Sequence, residues 1–209
     1  MNLTIMGMQG SGKGTQAKRM TDALGLPHIS TGDLFRKNMT EGTALGARAK
    51  AYIDKGELVP DSVVIDMVRD RLAQPDAEVG FILDGFPRSG VQMAALEYLR
   101  PVECAVMLEL DQDTAVKRLG GRAECPKCGI IYGANRRPKA EGKCDECAGP
   151  LKVRGDDQDT QAIMRRLEVY AEETAPLIAY YEWKGVLHRI DGRADPDTVF
   201  ANIMKAVKR

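Results

Sequence analysis

The sequence predicts an α/β fold: a doubly wound parallel sheet of about five strands built around a phosphate-binding loop (a P-loop), with helices on both faces. A small helical insertion and a metal-stapled insertion complete it. Three observations point there. Short apolar runs alternate with segments of helical period. A glycine-rich loop containing a lysine follows the first of these runs. Four of the five cysteines fall in two Cys-x-x-Cys pairs within one aliphatic-poor segment.

Taken in order, Leu3–Met6 reads as a strand running into a Gly-rich turn, and Lys13–Leu24 as a helix stopped by Gly25. Ser30–Val59 departs from the rhythm as a run of short helices. Asp61 reads as an N-cap, with Val64, Met67, Val68 and Leu72 recurring behind it at helical spacing. Gly80–Leu83 is a strand and Gly90–Leu99 a helix. Cys104–Leu110 is a strand, followed by a helix that Asp111 caps. Val186–Ile190 is the final strand, after which Asp195-Pro196 offers a cap and a proline at the first helical position. Strands joined by helices imply a parallel sheet covered on both faces. Between Gly121 and Asp157, glycine, proline and charge dominate, so this segment needs a staple to order it. The predicted organisation is a core of residues 1–29, 60–120 and 158–209, with insertions over 30–59 and 121–157.

At 209 residues the chain is one domain with insertions rather than several. A composition of 44% hydrophobic and 29% charged residues argues against wholesale disorder. Thirty Lys plus Arg balance thirty Asp plus Glu, which removes any global case for a nucleic-acid or membrane-surface binder. No apolar run approaches the roughly 18 residues of a membrane helix. The first apolar stretch ends at Gly7 without a basic leader, so no signal peptide is expected. A cytoplasmic setting follows, in which paired cysteines point to metal rather than to disulfides.

Gly7-Met8-Gln9-Gly10-Ser11-Gly12-Lys13-Gly14-Thr15 lies between the first strand and the first helix, as a phosphate-binding loop must. Glycines let backbone N–H groups turn inward around an anion, and the helix N-terminus adds partial positive charge. Lys13 supplies a full charge, and Thr15 a hydroxyl one place later than usual. A dinucleotide-binding loop is disfavoured, because Thr15 stands where its third glycine belongs. The loop alone reads as binding a nucleoside triphosphate.

Further along, His28-Ile29-Ser30-Thr31-Gly32-Asp33-Leu34-Phe35-Arg36, Gly56-Glu57-Leu58-Val59-Pro60-Asp61, Asp84-Gly85-Phe86-Pro87-Arg88 and Arg154-Gly155-Asp156-Asp157 occur in turn. In these motifs and their order the chain resembles the adenylate kinase family over essentially its whole length. Two departures stand out. Gln9 occupies a position where the family usually has proline. The stretch from Asp157 to Arg165-Arg166 is one residue longer than the common pattern. Leu167 and Tyr170 follow Arg166 at the family's spacing, which favours Arg166 over Arg165 for the family's role.

The resemblance implies the reaction MgATP + AMP ⇌ MgADP + ADP. Its nucleophile is a phosphate oxygen already anionic at neutral pH, so positioning and charge stabilisation carry catalysis. The residues carried over as catalytic are Lys13, Arg88, Arg122, Arg154 and Arg166. For ATP they are Gly10, Ser11, Gly12, Lys13, Gly14, Thr15, Arg118, Arg122, Ile131, Tyr132 and the backbone near Ala194. For AMP they are Thr31, Arg36, Glu57, Leu58, Val59, Gly85, Phe86, Pro87, Arg88, Gln92, Arg154 and Arg166. Gln92 offers both a donor and an acceptor to adenine. Asp33 and Asp84 would hold water ligands of Mg²⁺. Asp156 and Asp157, where the second insertion rejoins the core, would orient arginines of that insertion. The two insertions would close over AMP and over ATP and keep water from the phosphoryl group, a behaviour established for this family.

Cys125-Pro126-Lys127-Cys128 and Cys144-Asp145-Glu146-Cys147 are separated by 15 residues. That spacing matches a four-thiolate zinc site whose four positions are all filled by protein, so the ion is structural. Cys104 lies in an apolar strand and reads as a small core residue. The sequence leaves two rival readings. One is a kinase acting on UMP or CMP, or using another donor. The other is a zinc-ribbon module, for which Asn135-Arg136-Arg137-Pro138-Lys139 could serve nucleic acid. The expected partners are ATP, AMP and ADP, with the chain acting as a monomer and with neither nucleic acid nor membrane.

Overall fold

The computed structural model describes residues 1–133, 136–153, 157 and 159–208. Two elements open the chain, β1 (Asn2–Met6) and α1 (Lys13–Leu24). Then come β2 (His28–Ser30) and the helices α2 (Thr31–Thr40), α3 (Ala44–Ile53) and α4 (Asp61–Leu72). After a 3-10 turn at Pro75–Ala77, β3 (Phe81–Asp84), α5 (Gly90–Leu99), β4 (Cys104–Glu109) and α6 (Gln112–Gly120) follow. Three two-residue strands, β5 (Ala123–Glu124), β6 (Ile131–Tyr132) and β7 (Lys152–Val153), lie in the second insertion. The chain returns through α7 (Thr160–Val169), a π-helical turn (Tyr170–Thr174), α8 (Leu177–Trp183), β8 (Leu187–Asp191) and α9 (Pro196–Val207).

Among the described residues, five strands form one parallel sheet in the order β2-β3-β1-β4-β8. The sheet is covered on both faces, as parallel pairing demands. Side chains alternate along each strand. Leu3 and Ile5 of β1, with Ile82, Val106 and Leu108, pack against Ala17 and Met20 of α1 and Val199 and Ile203 of α9. Met6, Phe81, Leu83, Ala105 and Met107 point the other way, onto Val64 and Val68 of α4, Leu96 of α5 and Tyr181 of α8. Cys104 is 4% exposed within the first of these layers, and burial raises its thiol to about 11. Strands β6-β5-β7 make a separate antiparallel sheet. β1 lies inside the main sheet, and the chain passes from β3 on one side of it to β4 on the other. The C-terminal ends of β1, β3 and β4 therefore open on a crevice, where such sheets take their ligands.

The expected helices at Lys13–Leu24 and Gly90–Leu99 have those bounds. Asp111 and Asp195 cap α6 and α9 with their side chains. Asp61 does not cap α4. Pro60 is the cap residue, and among the described residues no side chain caps the first turn. The carboxylate is drawn away by Ser89 and Gln92.

Candidate active site

The loop after β1 is shaped by steric necessity. Gly7 sits at φ +139, and a Cβ there would lie 2.6 Å from the Leu108 carbonyl oxygen. Only glycine lets the loop pass β4 so closely. Gly12, at φ +95, is the residue from which α1 springs. The first turn of α1 carries no acidic residue, so its unpaired N–H groups and positive pole are left to the crevice. Lys13 folds back so that Nζ donates to the Gly7 and Met8 carbonyls at 2.6 and 2.9 Å. Burial lowers its pKa to about 8. Asp84 opposes that shift, and Arg88, Arg122 and Arg166 add to it.

This loop forms one wall of a cleft of about 1200 Å³. Lys13, Arg36, Arg88, Arg118, Arg122 and Arg166 all line it, although the chain as a whole is neutral. Two carboxylates hold the group together. Asp84, at the end of β3, is 3.5 Å from His28 Nε2. Burial pushes its carboxyl up, but the neighbouring imidazole, Lys13 and Arg88 outweigh burial and leave it below its ordinary value. Asp157 has a fully buried side chain. It accepts from Arg122 at 2.6 Å and from Arg166 Nη1 at 2.9 Å. Thus the start of the second insertion, just past α6, is tied to α7 through one carboxylate.

At one end of the cleft, α2 and the β3–α5 loop meet. Ser30 caps α2, accepting from Asp33 N, while Asp33 itself pairs with Arg36. The Gly85 carbonyl accepts from Thr31 Oγ1 and from Arg88 Nε, both at 2.9 Å. Thr174 Oγ1 donates to the Arg88 carbonyl at 2.9 Å. Arg88 is therefore held by its backbone and its side chain together. Glu57, Leu58, Val59 and Gln92 complete this end.

At the other end, Arg118 Nη1 donates to Gly192 O at 2.9 Å and Nη2 to Arg193 O at 3.2 Å. Gln16 Nε2 and Arg19 Nη1 both donate to Pro196 O, at 2.9 and 2.8 Å, fixing the start of α9 against α1. Ile131, Tyr132 and Ala194 line this end. Lys18 Nζ reaches over the cleft to Gly129 O at 2.6 Å.

Above that end sit Cys125, Cys128, Cys144 and Cys147, their sulfurs all within 4.8 Å of one another. Three Sγ pairs lie at 3.4, 3.4 and 3.6 Å. Metal–sulfur bonds of about 2.3 Å in a tetrahedron place sulfurs about 3.8 Å apart, so the set fits one small ion. Matched turns build it: Gly129 N donates to Cys125 O, and Ala148 N to Cys144 O. Tyr132 O–H hydrogen-bonds Cys144 Sγ, which draws that thiol down to about 6 and favours the thiolate a metal needs. The group can therefore bind a metal.

Most of the sequence-predicted residues meet at this one cleft: Gly10 to Thr15, Thr31, Asp33, Arg36, Glu57 to Val59, Asp84, Gly85, Arg88, Gln92, Arg118, Arg122, Ile131, Tyr132, Arg166 and Ala194. Phe86 and Pro87 are not among its lining residues; Phe86 is 2% exposed in the core. Arg165 pairs outward with Glu168, whereas Arg166 faces the cleft. Arg154 and Asp156 lie outside the described residues. Gln16, Lys18, Arg19 and His28 also line the cleft, although the sequence assigns none of them a role there. His28 opens the motif that runs to Arg36, and its place beside Asp84 comes from the pairing of β2 with β3. Nothing local marks Lys18 or Arg19.

A phosphate loop at the reversal point of a parallel sheet, opening on a cleft ringed by arginines, defines a P-loop phosphotransferase of nucleotides. The family model described as adenylate kinase matches residues 5–186. The chain is 44% identical to the adenylate kinase of Enterococcus faecalis, with 99% of each chain covered. It is 47% identical to that of Thermodesulfovibrio yellowstonii over 100% of both. The adenylate kinase of Methanosarcina mazei is 47% identical, over 99% of this chain and 98% of its own. The chain belongs to the adenylate kinase family.

Proposed function

We propose that the protein is an adenylate kinase that moves the terminal phosphoryl group of MgATP to AMP, reversibly, giving MgADP and ADP. The observation that carries this reading is the convergence of Lys13, Arg88, Arg122 and Arg166 on one cleft between the phosphate loop and the Thr31–Arg88 end. A volume of about 1200 Å³ exceeds the usual range of about 300–1,000 Å³ for one small ligand and suits two nucleotides. Gly10 to Thr15, Arg118, Arg122, Ile131, Tyr132 and the Ala194 backbone hold ATP. Thr31, Arg36, the Glu57–Val59 backbone, Gly85, Arg88 and Gln92 hold AMP. Arg154 belongs to both the catalytic and the AMP sets by resemblance alone. Phe86 and Pro87 act only through the backbone they shape.

The attacking AMP oxygen needs no base. The chain's part is to bring that oxygen in line with the γ-phosphorus and to meet the charge spreading over the moving group. Lys13 and the planar forks of Arg88, Arg122 and Arg166 do so, each fork holding two oxygens. Asp84, buried and ionised, with Asp33, would hold waters of the Mg²⁺ that travels with ATP; that ion neutralises phosphate charge. Residues 30–59 form the AMP cover and 121–157 the ATP lid, and together they exclude water. The reading has every substrate contact made by one chain, which accords with a monomer. It sets the enzyme in the cytoplasm, where thiols stay reduced. Among the described residues no helix is long and apolar enough to cross a membrane. Initial rates with AMP, UMP and CMP as acceptors, and with ATP, GTP and CTP as donors, test the assignment. AMP with ATP should lead by orders of magnitude, and a UMP or CMP preference would overturn it.

The pKa of Lys13 gives a pH signature. With its pKa near 8 in the free enzyme, about half of Lys13 is neutral at pH 8. Bound phosphate favours the ammonium and raises that pKa. ATP binding should therefore take up protons between pH 8 and 9, and affinity should weaken as pH rises through that window. Calorimetry in buffers of different ionisation enthalpy reads the uptake directly, and Lys13→Met should lose the Lys13 component.

The metal is proposed to be zinc, one ion per chain, held by Cys125, Cys128, Cys144 and Cys147 and taking no part in the chemistry. In isolated zinc-finger peptides such binding contributes about 10–16 kcal/mol. Far less should reach global stability here, because the lid can unravel while the sheet stays folded. Chelation should lower lid order and heat resistance before it melts the core. Elemental analysis with thiol counting checks this: four thiols become reactive on chelation, while Cys104 reacts only on global unfolding.

A further inference from the structure

Asp61 leaves α4 uncapped because its carboxylate is engaged elsewhere. Oδ1 accepts from Gln92 Nε2 at 2.8 Å and from Ser89 Oγ at 2.9 Å. On the opposite side of the same amide, Gln92 Oε1 accepts the backbone N–H of Arg88 at 2.8 Å. Gln92 is 1% exposed, yet it lines the AMP end of the cleft.

A free glutamine amide can turn by a half rotation and exchange its donor and acceptor ends. This one is held. A carboxylate oxygen only accepts and a backbone N–H only donates, so a turned amide would set donor against donor at Arg88 and acceptor against acceptor at Asp61. Buried groups left in such mismatches are costly. What remains for a ligand is one N–H on Nε2 and one lone pair on Oε1, in a fixed order. A 6-aminopurine offers the complement: N1 accepts and the 6-amino group donates. A 6-oxopurine offers the inverse, with N1–H donating and O6 accepting. The base cannot turn to compensate while its phosphate is anchored at Arg36 and Arg88.

We propose that Asp61 is the specificity-determining residue of the acceptor site: it locks the Gln92 amide in the orientation that pairs a 6-aminopurine monophosphate and refuses a 6-oxopurine. The inference rests on the reading above that Gln92 faces the acceptor base. Asp61 acts through Gln92 and is a positioning residue. Asparagine at position 61 keeps the shape but can present a donor to a turned Gln92, so it weakens the lock.

The test compares wild type, Asp61→Asn and Gln92→Ala, with kcat/KM measured for AMP and for inosine monophosphate at saturating ATP. In Asp61→Asn the AMP-to-inosine ratio should fall by about tenfold or more. The inosine value should rise while the AMP value drops, and ATP affinity should stay within about twofold. A merely structural role would lower both acceptors together. Nitrogen-15 NMR of the Gln92 side chain supplies a second readout that needs no turnover. Wild type should show one sharp pair of N–H signals, and Asp61→Asn a broadened or doubled pair. If Gln92→Ala weakens AMP while Asp61→Asn leaves both the ratio and the signals unchanged, the lock is refuted and the base contact stands. If Gln92→Ala leaves AMP unchanged, the base contact itself is wrong and the proposal falls with it.

Discussion

Lys13→Met is expected to fold normally and to lose at least about a hundredfold in kcat, with AMP affinity little changed. In a closed site, one removed charge contact to a developing oxyanion costs about 2.7–4 kcal/mol. Lys13 begins the helix whose N-terminus opens on the cleft, and its ammonium is held there by two loop carbonyls. Stability should move the other way. Burial depresses the pKa of Lys13, so its charged form opposes folding at neutral pH. That cost is fully present below about pH 8 and is relieved as pH rises from there toward the unfolded value. The variant should therefore match or exceed the wild type in Tm at pH 7, with the advantage shrinking above pH 8. Retention of more than about a tenth of the rate would mean that under 1.4 kcal/mol was lost, too little for the role assigned.

Asp157→Ala should be the most damaging single change outside the phosphate loop. Its carboxylate has no exposed surface and takes hydrogen bonds from Arg122 and Arg166. Removing one member of such a buried ionic group typically costs about 3–5 kcal/mol, because the partner charges stay buried with less compensation. Urea titration should show that loss without nucleotide. At saturating ATP and AMP the deficit should shrink, since phosphate oxygens give both guanidinium groups an anion. The turnover rate should also drop, as the arginines lose the fixed point that spaces them. An unchanged urea midpoint would show that the triad contributes nothing net.

The sequence spoke most clearly where local chemistry decides structure. The start of α1 at Lys13 and its stop at Gly25, and the caps at Asp111 and Asp195, depend on residues within one turn of each other. Strand ends were looser. β3 runs one residue later than expected, through Asp84, because Gly80 at φ +128 turns the chain in before Phe81. From 158 to 185 the sequence shows no clear element. The π-helical turn at Tyr170–Thr174 breaks the 3.6-residue spacing there. Asp61 failed as a cap for a tertiary reason: its partners Ser89 and Gln92 lie 28 and 31 positions away. Similarly, the place where the second insertion rejoins the core singled out Asp157. Its two arginines, 35 and 9 positions distant, come together only in three dimensions.

Phosphoryl transfer between two nucleotides in one cleft is tested most directly by following ADP in a coupled assay with ATP and AMP, singly and together, with and without Mg²⁺. The account predicts two ADP for each AMP consumed, formed only when both nucleotides and Mg²⁺ are present. ADP appearing at the same rate from ATP alone, with inorganic phosphate released, would contradict it, as would no ADP from the complete mixture.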